Sequence, residues 1–225
     1  MKKNEKKVIN KKGKSRRSFL ELALTGTAAV SALSLGLTKD LYAAPSGPIV
    51  IGHQCELTGG FSSWGYWHDK CAKAAVKIIN EGGGIAGRKV ELATEDTESN
   101  PAAGSRKLRS LIERRKASFV VGSVHSGIML ASIPIATELK TPYFSAGEAT
   151  EATGSKGSRY SFRTGTDTYA LAAAGAPWAY KNLGKTWTMI FPDYAWGHSH
   201  YQEHKKIIEK LGGKVNPPIA VPLGT

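Results

Sequence analysis

The chain has 225 residues, 41% of them hydrophobic, and carries 31 Lys/Arg against 18 Asp/Glu for a formal net charge of +13. That length and apolar share suit a folded chain of one or two lobes and exclude a disordered polymer. The charge would suggest a nucleic-acid partner, but residues 1–43 hold ten Lys/Arg and three Asp/Glu, so +7 of the excess lies there and only +6 remains in the other 182 residues.

The basic stretch MKKNEKKVINKKGKSRRSF is followed by the mildly apolar LELALTGTAAVSALSLGL and then by LYAAPSG. This order describes an export signal. Arg16-Arg17 within S-R-R-S-F-L makes it the twin-arginine kind. Cleavage is expected after Ala43, since one residue later would place Pro45 first. Glu21 and the many small residues argue against a membrane anchor, which needs about 20 apolar residues. An exported chain is expected to be periplasmic, with no nucleic-acid partner. Its two cysteines, Cys55 and Cys71, are permitted but not required to pair.

Strand and helix signals then alternate. "IVIGHQ" (49–54) reads as a strand, and 65–81 as a helix with Ala72, Ala75, Val76 and Ile79 on its apolar face. "RKVELATED" (88–96) alternates as a strand does. Asn100-Pro101 starts a helix by capping and by proline at the first helical position, with Leu108, Leu111 and Ile112 facing inward. The cluster Arg114-Arg115-Lys116 suits a solvated helix end. "SFVVG" (118–122) is a third strand, and Ser126 is expected to cap a helix to Leu139 that Pro134 should kink. "PYFS" (142–145) and "YSFRT" (160–164) are extended. Then come helix 168–183, strand "TWTMIF" (186–191), helix 195–211 and strand "KVNPPIAVPL" (214–223). This alternation predicts an α/β fold with parallel sheets and helices on both faces. Ligands in such sheets collect at the carboxyl ends of the strands, so the loops after Gln54, Asp96, Gly122, Ser145 and Phe191 are the ones of interest.

GGGIAG (82–87) satisfies G-x-G-x-x-G, but it joins a helix to a strand. A dinucleotide loop must join a strand to a helix, whose N-terminus meets the pyrophosphate. The run therefore reads as a turn, with Gly82 expected to take the left-handed conformation that closes a helix.

The segments L-T-G-G-F-S-S-W-G, A-V-K-I-I-N-E-G-G-G-I-A-G-R-K-V-E-L, V-V-G-S-V-H-S-G, T-P-Y-F-S-A-G and Y-S-F-R-T occur in this order. Together they resemble the branched-chain amino acid (Leu/Ile/Val) type of periplasmic solute-binding protein that serves ABC importers, over residues 48–221. The resemblance implies a two-lobed type I periplasmic-binding fold closing on a small solute, with 44–164 in the N-terminal lobe and 165–225 as a partial second lobe. The second lobe is expected to be incomplete at Thr225, the sequence being either a fragment or the product of a truncated gene. It implies an amino acid or related small carboxylate or amide as ligand, permease subunits as partners besides the twin-arginine translocase that Arg16-Arg17 calls for, no enzymatic activity, no cofactor and no metal. Carried over by residue, the ligand site comprises Trp64, Ser126, Gly147, Glu148, Ala149, Thr150 and Trp196. Ser126 and the helix amides would hold a carboxylate, while Glu148 would face either an ammonium or solvent. Trp67, Trp178 and Trp187 are expected to pack, and Arg163 to serve the hinge.

Other readings of the same residues are a metal-binding or ligand-sensing protein on this fold and a serine hydrolase. His200 and His204 lie at i, i+4 beside His198, a spacing that zinc sites use. His125-Ser126 and Asp193 could suggest nucleophilic chemistry, but no G-x-S-x-G elbow accompanies them.

Overall fold

Between Ile49 and Arg163 the chain crosses one sheet five times, always in the same direction. The computed structural model describes residues 47–223, so the twin-arginine segment and the expected cleavage after Ala43 lie outside the described residues. Strands β1 (Ile49–Cys55), β2 (Val90–Asp96), β3 (Phe119–Gly122), β4 (Tyr143–Ser145) and β5 (Ser161–Arg163) pair in the order β2-β1-β3-β4-β5. Helices α1 (Ser62–Glu81), α2 (Pro101–Glu113) and α3 (Ser126–Glu138) make the crossovers. Parallel pairing requires such returns, because no hairpin can join two strands that run the same way.

Alternation along β1 assigns the two faces. A Cβ on Gly52 would meet Val120, Ala117 and Leu111, and the Gln54 amide donates to the Gly104 carbonyl of α2 at 2.7 Å. Cys55, the odd neighbour, donates instead to the Gly65 carbonyl of α1 at 3.3 Å. The α2/α3 face holds the core: Leu108, Leu111, Val120, Met129, Ile133 and Tyr143 are buried together. Within it, Gln54 also donates to Ser132 at 3.1 Å and accepts from the Tyr143 hydroxyl at 2.6 Å. A buried amide is tolerated there because its polar atoms are paired.

The other face is thinner. On α1 only Gly65 is fully buried; Ala72, Val76 and Ile79 are half-buried, and Ala75 is exposed. Trp67 and Trp178, expected to pack, are 64% and 62% exposed, because both stand on outward helix faces. Trp187 is half-buried, with its Nε1 donating to the Gly184 carbonyl at 2.9 Å. Cys55 is buried and Cys71 exposed, and both are free.

The α1–β2 turn closes differently from expectation. Gly82 keeps a φ of −78°, and the left-handed residues are Gly83 and Gly84, at 96° and 78°. Beyond β5, α4 (Thr168–Asn182), capped by Asp167, packs against α5 (Ala195–Lys210). The two strands expected at 186–191 and 214–223 each divide. β6 (Thr186–Trp187) pairs β8 (Lys214–Val215), and β7 (Ile190–Pro192) pairs β9 (Ile219–Val221), both parallel. Pro217-Pro218 is the reason: two successive residues without an N–H cannot continue a ladder. Among the described residues no helix is long and apolar enough to cross a membrane.

Candidate functional site

The loop after β1 is tied to the loop after β2. Asp96 Oδ1 accepts from the Leu57 and Thr58 amides at 2.9 and 3.2 Å, and Oδ2 accepts from the Thr58 hydroxyl at 2.7 Å. Burial alone would raise this carboxyl; the donors from Thr58, Glu98 and Leu57 outweigh it and hold it below its ordinary value. Ser99 Oγ accepts from the Phe61 amide at 3.0 Å and so fixes the ring that opens the site.

After β3 the helix is capped one residue earlier than expected. His125, not Ser126, is the N-cap, and its Nδ1 accepts from the Gly127 and Ile128 amides at 3.0 and 3.3 Å. Burial pushes the His125 pKa down, favouring the neutral ring that can accept. Ser126 is fully buried, and its hydroxyl accepts from the amides of Glu148 and Ala149 at 3.0 and 3.2 Å. Behind His125, Glu56 is also fully buried, bonded from the Ser123 hydroxyl and raised in pKa by burial.

The loop after β4 is bound on its other side to α4 and α5. Thr150 donates its amide to Thr168 Oγ1 at 3.3 Å and to Ser199 Oγ at 3.2 Å, while its own Oγ1 accepts from the Tyr169 amide at 2.9 Å. The Glu148 carbonyl accepts from the Thr168 amide at 2.9 Å. Arg163 reinforces the junction by donating to the Ala149 carbonyl at 3.1 Å and to Asp167 Oδ2 at 2.8 Å. Trp196, from the first turn of α5, donates Nε1 to Glu148 Oε2 at 2.7 Å.

These loops enclose a cleft of about 470 Å³. Its walls are Phe61, Trp64, Tyr194 and Trp196; Val124 and Ala146 are its small apolar contacts, and His68 and Glu148 its ionisable ones. Of the seven expected site residues, Trp64, Glu148 and Trp196 line it, whereas Ser126, Gly147, Ala149 and Thr150 lie in or under the supporting loop. Phe61, His125 and Tyr194 form a ring cluster with centroids 4.9 to 5.5 Å apart. Burial, with a smaller contribution from the charge of Glu148, pushes the Tyr194 hydroxyl up to about 12. Phe61 was legible only as part of a loop, and His68 and Tyr194 were missed. The signal for Tyr194 was its place straight after a strand end.

The histidines on α5 have separate partners. His198 Nε2 meets Asp193 at 2.6 Å, and His204 Nδ1 meets the His200 carbonyl at 2.8 Å. A larger groove of about 570 Å³ runs along α2, where Arg109 bonds Glu113 and Glu138, Lys107 pairs with Glu95, and Arg106 and Arg114 complete a basic lining.

A model of a periplasmic binding protein family matches residues 48–225. A Leu/Ile/Val-binding protein homologue of Brucella melitensis is 28% identical over 188 residues, which are 81% of this chain and 50% of the relative. A periplasmic binding protein of Burkholderia mallei superposes with a TM-score of 0.74 at 26% identity, covering 80% of this chain and 48% of that one. An ABC-transporter solute-binding protein of Rhodopseudomonas palustris, solved with 3,4-dihydroxybenzoic acid, gives 0.68 at 27% identity, covering 78% and 47%. The chain thus spans about half the length of the curated relatives it matches.

Proposed function

The chain belongs to the periplasmic binding protein family, and from that premise we propose that it is the extracytoplasmic solute-binding component of an ABC importer. The observation that supports this most is the aromatic cleft at the carboxyl ends of β1, β3, β4 and β7, where a parallel α/β fold collects ligands. Its solute is a small organic molecule, amino acids, related small carboxylates and amides being the classes that the sequence suggests. Trp64, Glu148 and Trp196 touch it, and Ser126, Gly147, Ala149 and Thr150 hold the loop that presents Glu148. Of the ligand groups the sequence suggested, a free carboxylate is the one this site serves least, since His125 already caps the α3 amides. Residues 44–164 and 165–225 belong to two lobes that close on the solute, the closed state binding it more tightly. The protein performs no chemistry on the solute, uses no cofactor and delivers to permease subunits.

A thermal-denaturation panel of amino acids, amides, urea and aromatic acids tests this reading. At least one class should raise Tm in proportion to ligand concentration, as binding to the native state alone requires. A Tm unmoved by the whole panel and by an added quaternary ammonium would remove the reading. Export is through the twin-arginine route with cleavage after Ala43, so N-terminal sequencing of the periplasmic protein should begin at Ala44. A retained Met1 in that fraction would contradict it.

A further inference from the structure

The following rests on the cleft being a solute site and specifies the charge of the solute. We infer that the cleft selects a small organic cation, an alkylated ammonium on a compact apolar or aromatic body.

The walls come first. Phe61, Trp64, Tyr194 and Trp196 stand around one space, and ring faces attract cations through their quadrupole, tryptophan most strongly. Those ring faces offer the three donors of a primary ammonium few acceptors, whereas a quaternary group has none to satisfy. Glu148 adds a full negative charge. Its Oε2 is bound to Trp196 Nε1, which orients the carboxylate beside that ring and leaves Oε1 for a ligand.

Most of what would hold an anion is already committed. No Lys or Arg lines the cleft among the described residues. The Gly127 and Ile128 amides at the start of α3 go to His125, and Ser126, which accepts from the Glu148 and Ala149 amides, is fully buried beneath that loop. A carboxylate entering here would meet Glu148, with only the Tyr194 hydroxyl and the His68 ring as donors in the lining, and like charges at short range disfavour one another. A neutral body would gain only contact area. A cation gains that area, the ring faces and the carboxylate together.

Tryptophan fluorescence titrations at fixed ionic strength with benzyltrimethylammonium, benzyl alcohol and benzoate compare one body in three charge states. The cation should bind saturably and roughly tenfold or more tightly than either of the others, in the range that ring faces plus one carboxylate supply. Glu148→Gln should weaken the cation roughly tenfold and narrow the gap to benzoate. Trp64 is 60% exposed, so Trp64→Leu leaves the fold intact; it should weaken the cation roughly fivefold. Benzoate binding more tightly than the cation would overturn the charge assignment and leave solute binding standing. Unchanged cation affinity in folded Glu148→Gln would overturn it as well. If none of the three probes binds and no member of the thermal panel does, both readings fall together.

Discussion

Gly65→Ala is expected to destabilise the protein by about 3 kcal/mol or more, the upper end of what overpacking costs. Gly65 lies in the first turn of α1, where the helix passes over the strand end. A Cβ there would sit 1.9 Å from the Glu56 carbonyl oxygen and 2.4 Å from its carbon. Those atoms are backbone, so no rotamer change relieves the overlap. Either α1 lifts or the β1 end moves, and both movements disturb the cleft: Trp64 precedes Gly65, and Glu56 supports the Ser123–His125 loop. Its backbone φ is not in the left-handed region, so the cost is purely one of close approach. Gly175→Ala is the matching control. It lies within α4 with nothing within 4 Å of its would-be Cβ, and should stabilise by about 0.5–1 kcal/mol through helix propensity. Urea denaturation midpoints of the two variants would test the contrast. A Gly65→Ala protein as stable as the parent would show that α1 does not approach β1 this closely.

How much of this was legible in the sequence follows the range of each interaction. The first five strands and the five α-helices of the described residues lie within a few positions of where the sequence puts them, because apolar period and capping chemistry are local. Asn100 illustrates it: its side chain accepts from the Ala103 amide at 3.0 Å, and Pro101 follows at the first helical position. The third cap was misplaced because a histidine also accepts hydrogen bonds when it is neutral, and burial that makes His125 neutral is a tertiary effect. The split of the last strands is written in Pro217-Pro218, though the apolar run around the pair reads as one continuous strand. Site residues divide in the same way. Trp196 and Glu148 were singled out separately, 48 positions apart, and only the fold joins them through a hydrogen bond. Ser126 and Thr150 lie beside the cleft, but their hydroxyls accept from neighbouring amides, which no spacing rule reveals. The thin cover over the α1 face was likewise invisible: the stripe at Ala72, Val76 and Ile79 reports one apolar side, not how completely a partner covers it.

Acidification from pH 6.5 towards 4 should remove up to about 3 kcal/mol of stability through His53 alone, at 1.36 kcal/mol per pKa unit. The side chain is buried between the sheet and α1, with Nδ1 3.3 Å from Thr94 Oγ1. Burial depresses its pKa to about 4 from an ordinary 6.5, outweighing the opposite pull of Asp69, with smaller contributions in the same direction from His68 and Lys73. The unfolded chain therefore binds a proton at this site where the folded one does not. Between those two pH values the proton favours unfolding; above 6.5 the folded state carries no such penalty, and below 4 the loss is complete. Glu56 runs the other way. Its carboxyl is raised by burial, so the folded state holds its proton more tightly than the unfolded one, and acid partly offsets the loss. The difference between wild type and His53→Gln isolates the first effect, since glutamine keeps a polar atom within reach of Thr94 and does not titrate. Chemical denaturation from pH 7 to 4 should give a wild-type curve that falls relative to the variant across this window. Parallel curves would mean that His53 is solvated enough to charge in place, and that α1 does not seal this face of β1.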